Sequence, residues 1–347
     1  MQKYLSALFI KNILCKFAAG FHIMFYLLQK DLRFQIFILL ALTGLFCYQL
    51  FATPVVFCLY DSALPYALSL DEWMSLHPTA ARIGILILYA LQQLLLFSYF
   101  KKNRFADNET LIPCIALAAF VVVDGIASQC TPVLIGNTAA IGVLCLCDNS
   151  EPRHQKSRVL LAGMLIGVAS LYDLTLLLMS ATVILISVTN RLNTLSDIFV
   201  ALIGILIPYL YVAAYHFFVG NLASYLASFS RIILQFPLFA MRPSIVSVTC
   251  MVVCIALLIY ILIKLKIRFD YKLIVVRKRF ANTHFLFIIS AAILGLTNLP
   301  YPQSLGYLSI PIAIYLAAYA PSRRFSIAKE VVLTLFFTAI TLIGIGL

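Results

Sequence analysis

Long apolar runs follow one another along this chain with only short polar breaks, and that succession limits what it can fold into. Eleven stretches read as membrane spans: 34–53, 80–100, 111–128, 133–147, 159–172, 174–189, 198–219, 244–263, 285–299, 304–320 and 331–347. A spanning helix needs about 20 apolar residues, fewer where the bilayer thins. Composition excludes the two-domain soluble protein that 347 residues would otherwise suggest: 63% of residues are hydrophobic, 11% are charged and mean hydropathy is +1.03. A soluble surface needs about 25% charged residues. The expectation is an all-α, polytopic transmembrane helix bundle in a bacterial inner (cytoplasmic) membrane. Residues 34–347 form one transmembrane domain behind a basic amphipathic segment, 1–33.

Orientation follows from the basic residues, which collect in cytoplasmic loops. With the N-terminus inside, the inner segments are 1–33, 101–110, 148–158, 190–197, 264–284 and 321–330. They hold all but three of the 25 Lys and Arg; only Arg82, Arg231 and Arg242 remain outside. The C-terminus is then outside. The same count decides a boundary. One long helix over 159–189 would flip everything downstream and expose the basic segment 264–284, so a hairpin turning at Tyr172-Asp173 is expected. Pro132 supports a break at 130–132. Both hairpins, 111–147 and 159–189, are short. Their turns lie below the outer surface and face either protein or a water-filled cavity, since lipid cannot satisfy backbone groups. Local thinning is the plainer alternative.

The first thirty residues carry Lys3, Lys11, Lys16 and Lys30 among apolar residues, as an interfacial helix does. A start at Met24, with 1–23 as an upstream extension, is the other reading. The net charge of +12 is explained by the loops and does not call for nucleic acid. Segment 264–284, with seven basic residues, suits anionic lipid headgroups. The nine cysteines mostly sit in apolar runs as small hydrophobes; a Cys58–Cys130 pairing near the outer face stays open. There is no nucleotide-binding loop, metal-ligand spacing or nucleophile motif.

The acids supply the functional candidates. Asp61, Asp71 and Glu72 occupy the first outer loop, Asp124 the outer half of the third span, and Asp173 an outer turn. Ionisable groups in a membrane are costly, which singles out Asp124 and Asp173; with the three loop acids they make five candidate catalytic residues. Arg82, Arg231, Arg242 and His216 are the outer-side candidates for substrate binding. Each has a plainer role: a cap or turn for Asp124 and Asp173, ordinary loop charge for 54–79, an interface hydrogen bond for His216. Gln92-Gln93 lies mid-span as interhelical glue.

The patterns TPVLIGNTAAIGVLCL at 131–146, IGVASLYDLTLLLM at 166–179, LIGILIPYLYVAAYHFF at 202–218 and IPIAIYLAAY at 310–319 resemble a domain-of-unknown-function family of polytopic inner-membrane proteins of Bacteroidota. That family brings no established activity. The carotene-oxygenase label sometimes attached to it does not suit this chain, whose five histidines (His22, His77, His154, His216, His284) scatter over both faces. A looser resemblance is to polyprenyl-phosphate-dependent integral-membrane glycosyltransferases, through the inside N-terminus, the acidic first outer loop and the short helix pairs. It implies a loop carboxylate (Asp61, Asp71 or Glu72) as base and Arg231 or Arg242 on a lipid phosphate. The chain departs from that pattern: no adjacent Asp-Glu pair ends the first span. Three function classes follow: an enzyme acting on a lipid-linked glycan or lipid phosphate at the outer leaflet, a transporter or flippase, and a non-catalytic subunit of a membrane complex.

Overall fold

A computed structural model of the chain describes residues 31–52, 76–106, 110–123, 131–148, 155–189, 194–223, 225–227, 245–297, 303–320 and 327–344. All regular structure among them is helical: α1 (Leu32–Ala52), α2 (Pro78–Lys102), α3 (Ile112–Val123), α4 (Thr131–Cys147), α5 (Gln155–Ser170), α6 (Met179–Thr189), α7 (Thr194–Phe218), α8 (Ile245–Phe269), α9 (Ile274–Leu296), α10 (Ser309–Tyr319) and α11 (Ile327–Gly344). Short 3₁₀ turns, Leu174–Leu178 and Gln303–Leu308, lead into α6 and α10. Each expected apolar stretch overlaps one of these helices. Five of them (α1, α2, α7, α8 and α9) are long and apolar enough to cross a membrane.

The short helices occupy the middle. Every residue of α10 is buried, and Leu117, Ala118 and Val121 of α3 are wholly covered. At about 1.5 Å per residue the 11 residues of α10 span about 16 Å, roughly half the hydrocarbon core. A helix that short leaves end groups that lipid cannot satisfy; here protein does so. Arg268 donates to the Ala318 carbonyl at 2.8 Å and Lys329 to that of Tyr319 at 3.4 Å. Both cations sit where the helix dipole favours them.

The long helices form the outer ring. On α7 the exposed residues Phe199, Leu202, Ile203, Leu206 and Leu210 recur at helical spacing, which makes one apolar face. Its other face crosses α5 with almost no gap. A Cβ added at Gly163 would lie 2.4 Å from the Ala201 carbonyl oxygen, and one at Gly204 would lie 2.4 Å from that of Leu160. Gly163 and Gly167 are spaced as in the small-residue motif that lets membrane helices touch backbone to backbone. Pro208 lies inside α7, its ring at this crossing beside Gly167.

Polar side chains tie the layers together. Gln92 of α2 donates to the Leu134 carbonyl at 2.6 Å and to Thr138 at 3.0 Å, the interhelical role expected of it. Gln35 of α1 accepts from the Leu111 amide at 2.7 Å. The Tyr172-Asp173 break is present: α5 ends at Ser170 and the Leu174–Leu178 turn follows. One expectation changes. Segment 264–284 is mostly helix, because α8 runs on to Phe269 and α9 begins at Ile274. Lys and Arg are good helix formers, and their stems lie along apolar surface while their charges reach water. Apolar periodicity therefore stops before the helix does. The Asp173 turn lies at one end of the bundle. Residues 101–106, 148, 268–284, 318–320 and Lys329 meet at the other, here termed the basic end.

Candidate functional site

Asp173 is the candidate acid whose surroundings are described. It occupies the N-cap position of the Leu174–Leu178 turn in extended backbone, where an aspartate satisfies an orphan amide. Its Oδ1 accepts from the Thr175 amide at 2.9 Å and from the Thr175 hydroxyl at 2.7 Å. Its Oδ2 accepts from Tyr307 Oη at 2.8 Å and Thr297 Oγ1 at 3.2 Å. These four donors come from three parts of the chain and lock the α5–α6 turn to the end of α9 and to the Gln303–Leu308 turn.

The wall behind this knot explains Gly136. A Cβ there would come within 2.8 Å of the Tyr307 ring and 2.9 Å of Leu176, so a larger residue would have to push these side chains aside. The next residue, Asn137, donates to the Gly306 carbonyl at 3.1 Å and to Ser309 at 3.0 Å. Its Oδ1 and the hydroxyl of Ser304 are buried without a hydrogen-bond partner among the described residues. Thus α4, the α5–α6 turn, α9 and the start of α10 converge on one buried polar cluster.

Two of the candidate binding residues are described nearby. The guanidinium of Arg82 lies over the Phe51 ring, 5.6 Å from its centroid. The preceding residue, Ala81, packs with Tyr172 and Ile135, which brings the start of α2 to the Asp173 turn. His216 stacks on Tyr225 at 4.6 Å and 15°, and its Nε2 is buried with no hydrogen-bond partner among the described residues. Burial first, then the nearby Tyr209 phenol, pushes the Tyr225 hydroxyl up to about 12. Tyr209 in turn donates to Ser170 at 2.9 Å, three residues before Asp173. His216 and Asp173 therefore flank the same end of the α5–α7 pair without touching directly. Asp61, Asp71, Glu72, Asp124, Arg231 and Arg242 lie outside the described residues, as do Cys58 and Cys130.

The basic end holds a buried carboxylate that sequence reasoning passed over. Asp148, 6% exposed, accepts from Tyr99 Oη at 2.5 Å and from the Asn282 side-chain amide. Burial pushes its carboxyl up to about 6, against the two hydrogen bonds and the Arg279 charge. In sequence Asp148 reads as an ordinary inner-loop acid, and Tyr99 and Asn282 sit within helices α2 and α9. Nothing in spacing alone marks the three as partners. Tyr307, Thr297 and Asn137 were equally silent. Among the described residues no group of three or more His, Cys, Asp and Glu could hold a metal ion.

No protein-family model, curated protein or solved structure matches the chain.

Proposed function

We propose that the chain is a multi-span protein of a bacterial inner membrane, with its N-terminus inside and its C-terminus outside, that acts on a lipid-linked glycan or lipid phosphate at the outer leaflet. The observation that supports this reading is the Asp173 cluster. A carboxylate at the end opposite the basic loops is fixed by Thr175, Thr297 and Tyr307 beside short, buried helices. Because four donors occupy its oxygens, Asp173 serves as a positioning residue that holds the turn. Proton abstraction from an acceptor hydroxyl falls to Asp61, Asp71, Glu72 or Asp124, and the lipid phosphate to Arg82, Arg231 or Arg242. His216, whose Nε2 is buried without a hydrogen-bond partner among the described residues, is a further polar candidate.

The test is binding. The full chain in nanodiscs is offered a polyprenyl phosphate or the corresponding polyprenol, and retention is read by native mass spectrometry. The phosphate should be retained at least about tenfold better, and Arg231→Gln or Arg242→Gln should erase most of the difference. Equal retention of the two lipids contradicts the proposal.

One observation favours a second reading, a transporter or flippase. Two short helices far apart in sequence, α6 and α10, are each led by a 3₁₀ turn, and the turns meet through Asp173 and Tyr307. Interrupted helices meeting inside a bundle are a mark of transporters. Movement of a labelled lipid across reconstituted vesicles, lost in Asp173→Asn, would select this reading.

A further inference from the structure

The basic end contains a cavity of about 470 Å³ between α8 and α9. Its apolar lining includes Leu262 and Phe285, and its polar groups are Lys266, Asp270, Arg277 and His284. The hairpin is pinned there by Phe269 and Phe280, whose rings stack at 4.1 Å and 7°. That stack is a point at which the two helices meet. Arg277 lies one turn nearer the hairpin tip than Phe280, and Lys266 one turn deeper than Phe269. Both cations line the one cavity from opposite helices, and their long flexible stems let the charges approach a shared ligand. His284 lies one turn beyond Phe280 on α9, about 6 Å along that helix, and lines the same cavity.

The surroundings identify the occupant. Ile263, Ile267, Leu273, Ile274 and Val275 are all more than half exposed beside exposed Lys and Arg on the same helices. Apolar and basic residues interleaved on one surface belong at a membrane interface. The cavity therefore joins an apolar groove, suited to an acyl chain, to a mouth with two cations and one carboxylate. With His284 neutral the lining carries one net positive charge, which matches one phosphodiester. We infer that this cavity is a binding site for an anionic glycerophospholipid of the leaflet at the basic end. The site is independent of the chemistry proposed at the opposite end.

The test uses the purified full chain in detergent, exchanged into vesicles of phosphatidylglycerol or phosphatidylcholine. Bound lipid is counted by native mass spectrometry, and thermal unfolding is followed by circular dichroism. Phosphatidylglycerol should be retained at least about tenfold better than phosphatidylcholine and should raise the unfolding midpoint. The pair Lys266→Gln/Arg277→Gln should lose that preference. So should Ala281→Trp, which fills the cavity but removes no charge. The pair Lys264→Gln/Lys272→Gln removes as much charge from residues outside the lining and should keep the preference. If this control pair loses it equally, the attraction is diffuse surface charge and the site is wrong. If the cavity variants keep their helical signal and still prefer phosphatidylglycerol, the proposal is overturned. If inorganic phosphate alone raises the midpoint as much, the ligand is a soluble anion and the lipid assignment fails.

Discussion

The middle of the bundle and its rim are built from similar residues but obey different rules. Leu316 in α10 is 1% exposed and Leu206 in α7 is 53% exposed, although both sit in strongly apolar runs. Lipid tails are as apolar as leucine, so hydrophobicity does not decide which helix goes inside. Length and polar content do. Short helices such as α10 and α6 cannot reach both membrane surfaces. Their ends need partners, and other helices supply them: Arg268, Lys329, and the Asp173 cluster. The long rim helices close their hydrogen bonds within themselves and spend their outward faces on lipid.

The strongest way to break this comparison is to force the rim away from the middle. Gly163→Leu drives a side chain into the Ala201 carbonyl and should cost about 4 kcal/mol or more, or abolish folding. Gly84→Ala is its control: a Cβ there meets nothing within 4 Å and the change should stay within about 1 kcal/mol. Chemical unfolding in mild detergent distinguishes the two.

The next largest effect is a slope with pH. Burial raises the Asp148 carboxyl from the ordinary 3.8 to about 6. The folded protein thus binds more protons than the unfolded chain between about pH 4 and pH 6. Stability falls as pH rises through that window, by up to about 3 kcal/mol, and levels off above it. Asp148→Asn should flatten the fall. A variant with the wild-type slope would show that this carboxyl titrates normally.

Leu316→Ala sharpens the contrast between regions. It should cost about 2 kcal/mol, through lost packing, while Leu206→Ala should cost less than about 0.5 kcal/mol. Similar losses at both would remove the distinction between middle and rim. The smallest effect expected is at Tyr307→Phe, about 1 kcal/mol for one donor lost from Asp173. A double-mutant cycle with Asp173→Asn should return most of that energy as coupling.

The helical class and the positions of the apolar runs were legible in the sequence because periodicity and run length are local properties. The Tyr172-Asp173 turn was legible because charge bookkeeping required it. The α8–α9 hairpin was misjudged: basic residues end an apolar run without ending a helix. The interior of the site was illegible for another reason. Asp173 could be named, but Thr297 and Tyr307 lie 124 and 134 residues away, and neither stands out from its run. Gly163, Gly167 and Gly204 are also silent until α5 and α7 are seen to cross.

The most direct test of the middle-and-rim arrangement is a photolabel carried on a lipid acyl chain, applied to the wild-type chain in vesicles and mapped residue by residue. The account predicts label on Phe37, Leu206 and Ile259, which are at least half exposed, and none on residues 309–319. Label on α10 comparable to that on α7 would contradict it.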